Sequence, residues 1–188
     1  MGKIVLITGG SRSGKSAFAE EYIKTLFERG EKVGYIATSQ IFDEEMKFRV
    51  KLHQERRPAA WTTYEAPYDA HMALEQASKE GCTAILFDCI TIYMSNLLCS
   101  LESIDDSEKN YALANGKINQ LIEAARNSKG TTVFVTNEVG AGIVPENKLA
   151  REYRDIAGLA NQWLAKEADE VYFVVCGISV NLKEISNK

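Results

Sequence analysis

Short apolar runs alternate with longer amphipathic stretches along the chain. Lys3–Thr8, Lys32–Ala37, Thr83–Phe87, Thr131–Thr136 and Glu170–Val175 are rich in Val, Ile and aromatic residues and nearly continuous in apolarity. That is the pattern of parallel strands covered on both faces. Between them, Lys15–Arg29, Asp43–Arg57, Tyr68–Lys79, Ile90–Leu101, Tyr111–Asn127 and Leu149–Lys166 read as helices. The face is clearest after Asp88, where Ile90, Tyr93, Met94, Leu97 and Leu98 recur at helical spacing. Trp61–Glu65 predicts a further strand, and Ile178–Ile185 a closing one whose direction the pattern leaves open. Strands alternating with helices predict an α/β fold, a three-layer sandwich around a mainly parallel central sheet. With 188 residues and no repeat, low-complexity tract or linker, the expectation is one domain spanning 1–188.

In open parallel sheets ligands bind beyond the carboxyl ends of the strands. The predicted strands put five loops there: Gly9–Ser16, Thr38–Gln40, Asp88–Thr91, Asn137–Asn147 and Cys176–Ser179. The first reads Gly9, Gly10, Ser11, Arg12, Ser13, Gly14, Lys15, Ser16, a match to G-x-x-x-x-G-K-[ST] between a strand and a helix. Small residues let the backbone curl so that successive N–H groups face phosphate oxygens, and the helix N-terminus adds partial positive charge. Lys15 then reaches the β and γ phosphates, and the Ser16 hydroxyl ligates Mg²⁺. The fold expected is therefore P-loop NTPase-like. Asp88 closes an apolar strand, which suits a carboxylate on the same metal; the competing reading is a cap on the next helix.

Composition narrows the partners. A net charge of −4 with no basic block argues against nucleic acid or a membrane surface as partner. Four cysteines lie far apart with no C-x-x-C pair, neither a zinc pattern nor a disulfide framework, and read as small buried hydrophobes. No export signal or membrane-length apolar run is seen, so the protein is expected in the cytoplasm.

A phosphate loop alone does not choose a reaction. His53, one of two histidines, bears on that choice. On a helix starting after Asp43, residues Met46, Val50, His53 and Arg57 share one stripe. Pro58 ends that helix at Arg57. In one reading His53 is a structural residue beside Met46 and Val50; in the other it is a nucleophile for a nucleotide phosphorus, with Arg56 and Arg57 on the phosphate oxygens. His71 reads as structural. Asn137 and Glu138, with the loop that follows, suit acceptor binding or site closure, or a turn stiffened by Pro145.

The phosphate loop, "YIATSQIFDEEM", the H-x-x-x-R-P of His53–Pro58, "FDCIT" and "VTNEVGAGIVPENKLAREYRDIAGLANQ" together resemble the bifunctional adenosylcobinamide kinase and adenosylcobinamide-phosphate guanylyltransferase family. The likeness runs from about Ile4 to about Val180. The resemblance implies that the enzyme phosphorylates adenosylcobinamide with ATP or GTP, then transfers GMP from GTP through a covalent adduct on His53. It implies guanine nucleotide on Gly9–Ser16, Ala37, Thr38, Ser39, Gln54, Glu55, Arg56, Arg57, Glu65 and Asp88, with Mg²⁺ on Ser16 and Asp88. It also implies a homotrimer. Because two reactions share one loop, Asp43–Pro58 is expected to change position between steps.

Overall fold

The apolar runs become the strands of one seven-stranded sheet in the computed structural model, which describes residues 1–40 and 58–186. In chain order the elements are β1 (Lys3–Thr8), α1 (Lys15–Glu28), β2 (Val33–Ala37), β3 (Thr62–Glu65), α2 (Ala70–Lys79), β4 (Ala84–Asp88) and α3 (Ile90–Cys99). They continue with α4 (Ser107–Asn127), β5 (Thr131–Val135), α5 (Lys148–Glu167), β6 (Glu170–Val175), β7 (Ile178–Asn181) and α6 (Leu182–Ser186). The strand order is β3-β2-β4-β5-β1-β6-β7. Every neighbouring pair is parallel except β6 and β7. The predicted segment Asp43–Arg57 lies outside the described residues.

Period-two alternation splits each central strand between two cores. Ile4 and Leu6 join Leu74, Phe87, Phe134 and Ile156 beneath α2, α4 and α5, while Val5 and Ile7 join Ile23, Tyr35, Leu86 and Val133 beneath α1. The three layers follow from that division. Strands buried on both faces need no polar alternation, which is why they read as unbroken apolar runs. Among the described residues no helix is long and apolar enough to cross a membrane.

Four expectations need correction. The helix predicted from Tyr111 begins at Ser107, because Asp106 caps it by accepting from the Lys109 amide at 3.0 Å. Its first turn also holds Asn110, a buried polar residue that donates to Glu152 at 3.0 Å, so hydrophobic spacing missed it. The helix predicted from Tyr68 begins at Ala70, after Asp69 in the left-handed region at φ 46°. The closing strand is half its predicted length and runs antiparallel to β6. It ends where the Asn181 side chain accepts from the Lys183 amide at 3.2 Å and starts α6. Finally, only Cys82 and Cys89 are buried. Cys99 is exposed at the end of α3, and Cys176 at the β6–β7 turn.

Candidate nucleotide site at the carboxyl ends of the strands

Sheet register brings the predicted site residues into one line. Glu65 pairs with Ala37, Ala37 with Asp88, Asp88 with Val135, and Val135 with Ile7. A single row therefore crosses five strands at their carboxyl ends, and the phosphate loop starts two residues beyond Ile7. At the described positions, Glu65 is exposed at the edge of this row, and Ala37, Ser39 and Asp88 are half-buried within or just beyond it. Gln54, Glu55, Arg56, Arg57 and His53 lie outside the described residues.

The loop has the geometry its glycines predict. Gly14 sits at φ 97° immediately before α1, in a conformation that disfavours any side chain. A Cβ on Gly9 would fall 2.3 Å from the Val174 carbonyl oxygen, so the backbone passes β6 too closely for any other residue. A Cβ on Gly10 would meet nothing within 4 Å. Arg12 holds φ 56° and is exposed beside Ser11. Ser13 accepts at its carbonyl from the Gly177 amide at 2.8 Å, which ties the loop to the β6–β7 turn.

Lys15 is buried and donates its Nζ to the Gly10 carbonyl oxygen at 3.2 Å, curling over the loop it serves. Burial lowers its pKa below the ordinary lysine value, and Cys89 and Asp88 pull it back only in part. Only the cation holds phosphate, so binding must weaken as pH rises through this depressed pKa. We expect the affinity for inorganic tripolyphosphate, measured by calorimetry, to fall at a pH below the range in which a free lysine titrates. A loss delayed to that range would mean Lys15 is not the group that titrates.

Asp88 does not cap α3. The cap position is Cys89, which makes no side-chain cap hydrogen bond. The carboxylate instead accepts from the Tyr35 hydroxyl at 2.6 Å through Oδ2, and among the described residues its Oδ1 takes part in no hydrogen bond. The Ser16 hydroxyl likewise makes no hydrogen bond there. One carboxylate oxygen and one hydroxyl suit Mg²⁺, which takes few protein oxygens and completes its shell with phosphates and water. No cluster of three or more His, Cys, Asp or Glu that could hold a metal occurs among the described residues, so an all-protein metal cage is not what they build. The Cys89 thiol is pushed up to about 11, by burial and then by the Asp88 charge. It is neutral at physiological pH and no rival nucleophile.

Thr38 is fully buried. Its hydroxyl donates to the Cys89 carbonyl at 3.0 Å and accepts from the Cys89 amide at 2.9 Å. Its side chain therefore fastens the end of β2 to the end of β4, and its hydroxyl is spent on that backbone. Asn96 holds the same corner, donating to the Thr38 and Pro67 carbonyls at 2.8 and 3.1 Å. Sequence reading missed Asn96 and Tyr35 as site-supporting residues. An asparagine within an apolar helical face was the available signal for the first; Tyr35 reads only as a core residue of β2.

Beyond β5, the Glu138 amide donates to the Gly9 carbonyl at 3.1 Å. Its Oε1 accepts from the Gly140 and Ala141 amides at 2.5 and 3.1 Å. Asn137 donates to Thr91 at 2.7 Å and accepts at its carbonyl from Asn161 at 3.0 Å. The turn is thus a built structure joined to the phosphate loop, with Ile143 and Val144 exposed at its crest.

A family model described as cobinamide kinase / cobinamide phosphate guanyltransferase matches residues 5–182. The chain is 46% identical over 187 residues to the bifunctional adenosylcobalamin biosynthesis protein CobU of Salmonella typhimurium, covering 96% of this chain and 99% of that one. It is 42% identical over 185 residues to the CobU protein of Escherichia coli, covering 96% and 99%. Against the CobP protein of Pseudomonas aeruginosa it is 38% identical over 178 residues, covering 95% and 96%.

Proposed function

The chain belongs to the cobinamide kinase / cobinamide phosphate guanyltransferase family and is a bifunctional enzyme of adenosylcobalamin biosynthesis. From that premise we propose that both of its reactions use the phosphate loop and that the second passes through a GMP adduct on His53. In the first, the hydroxyl oxygen of adenosylcobinamide attacks the γ-phosphorus of ATP or GTP, and the bond to the bridging oxygen breaks toward the nucleoside diphosphate. Positioning and charge neutralisation do most of the work. Lys15 supplies a cation at the transferred group. Ser16 and Asp88 would hold Mg²⁺, which supplies further neutralisation of the β and γ oxygens when bound.

In the second reaction a neutral His53 nitrogen attacks the α-phosphorus of GTP and pyrophosphate leaves. A phosphate oxygen of adenosylcobinamide phosphate then displaces the histidine, breaking the P–N bond and carrying GMP away. Dividing one hard transfer into two easier ones is the advantage of covalent catalysis. Asn137, Glu138 and the turn after them border the phosphate loop on the acceptor side. The enzyme acts as a homotrimer in the cytoplasm.

The observation that supports this reading best is the single register row from Glu65 through Ala37 and Asp88 to the loop. It aligns the residues proposed for the nucleotide along one sheet edge, where two steps can share them. Incubation with adenosylcobinamide, Mg²⁺ and ATP or GTP, followed by mass analysis of the corrinoid, tests it. The expected products are the phosphate ester and then, with GTP, the GDP ester. Arrest at the phosphate ester would leave a kinase alone, and an unmodified corrinoid would reject both halves.

A further inference from the structure

In the kinase step the phosphate loop and the metal beside it set the direction in which the nucleoside triphosphate lies. Lys15 engages its β and γ oxygens, and a metal shared between those oxygens is held by Ser16 and by a carboxylate at the end of a neighbouring strand. Here that carboxylate is Asp88 on β4, which lies on the β5 side of β1. The γ end must therefore point over β5 toward β4. The α-phosphate and nucleoside must leave on the opposite side, toward the other neighbour of β1, which is β6.

What stands on that side is the two-residue β6–β7 turn, Cys176–Gly177. It is pressed onto the loop: the Gly177 amide donates to the Ser13 carbonyl at 2.8 Å, and a Cβ on Gly14 would lie 3.0 Å from the Gly177 Cα. Both turn residues have positive φ, 53° at Cys176 and 79° at Gly177, as a tight hairpin with matching twist requires. Cysteine is a poor choice for such a position on backbone grounds alone. Flanking it, Val175 and Ile178 are cross-strand partners and are 48% and 66% exposed. An apolar pair is thus held in water beside the mouth of a phosphate site, at the end of the loop where a nucleoside emerges.

The residues that the resemblance gives to guanine nucleotide lie the other way. Ala37 ends β2, with Thr38 and Ser39 just beyond it, and Glu65 ends β3, respectively three and four strands from β1. At about 4.8 Å per strand these are roughly 14 and 19 Å from the loop's own strand. A triphosphate with its γ end toward Asp88 runs away from them.

We propose that the β6–β7 turn, through Val175, Cys176 and Ile178, is the seat for the purine base of the nucleoside triphosphate that feeds the kinase step. This seat is separate from the Ala37–Glu65 side, which takes the guanine of the GMP donor. The inference rests on the bifunctional reading above, and it makes the enzyme hold nucleotides in two opposite directions on one phosphate loop.

Ile178→Glu puts a charge on the exposed face of the turn without touching the loop, and Ile178→Leu restores an apolar side chain. Calorimetry with ATP and with inorganic tripolyphosphate, both with Mg²⁺, reads the base and the phosphates separately and needs no corrinoid turnover. We expect Ile178→Glu to weaken ATP about tenfold while tripolyphosphate stays within twofold, and Ile178→Leu to bind both like the parent protein. In the steady state the nucleotide KM of the kinase step should rise and the GTP KM for guanylylation should not. Unchanged ATP affinity, an equal loss of tripolyphosphate, or an equal rise in both KM values would overturn the proposal. So would a change in sedimentation of the variant, which would make the turn a contact between copies. Failure of corrinoid turnover with the ATP result intact would strike the bifunctional reading and leave the base seat standing.

Discussion

Lys15→Met is expected to lower the phosphoryl and guanylyl transfers together, each by roughly 10²–10³-fold in kcat, the usual loss when one preorganised charge at a transferring phosphate is removed. Methionine matches the length and volume of the lysine stem, so the 8% exposed site stays filled. Because the buried Lys15 cation is disfavoured by desolvation in the folded protein, its removal should leave thermal stability unchanged or raise it. The variant thus separates chemistry from folding. Measurement of both half-reactions against the melting temperature checks this. A loss confined to one half-reaction would mean the two do not share the loop. A fall in both stability and activity would mean Lys15 supports the structure instead.

The second large effect is selective. His53→Ala should abolish guanylyl transfer to adenosylcobinamide phosphate, by roughly 10⁴-fold or more, as removal of a nucleophile does. Phosphorylation of adenosylcobinamide should stay within threefold. The nucleophile must be neutral imidazole, so guanylylation should rise with pH through the His53 pKa and then level off. Following γ-phosphoryl and α-phosphoryl transfer in parallel with labelled GTP would show the split. Equal loss of both transfers would make His53 structural, and survival of guanylyl transfer would reject it as the nucleophile.

What the sequence could and could not say has a physical pattern. Strands buried on both faces are legible because β1 and β4 carry nothing but apolar residues between their ends. The phosphate loop is legible because close approach makes glycine obligatory at Gly9 and Gly14. Long-range polar choices are not legible. Tyr35 reads as core, and only the register of β2 against β4 brings its hydroxyl to Asp88. The start of α4 at Ser107 was hidden because its first turn buries a polar network of Asn110 and Glu152 where a hydrophobic stripe would be sought. Thr38 was legible by place, as a residue at a strand end, but its use was not, since its hydroxyl is spent on the backbone of Cys89. Strand order was beyond reach too, because interleaving β5 between β1 and β4 depends on packing across the whole sheet. On the proposal above, that order sets the direction of the triphosphate in the kinase step.

Mixing the unmodified protein with α-labelled GTP and Mg²⁺, then denaturing it, asks most directly whether one chain stores a nucleotide covalently between its two reactions. The label should stay with the polypeptide, be released by mild acid as a phosphoramidate is, and pass to the corrinoid when adenosylcobinamide phosphate is added before the quench. Protein that carries no label after denaturation, or label that resists acid and cannot be chased, would contradict a histidine-bound GMP.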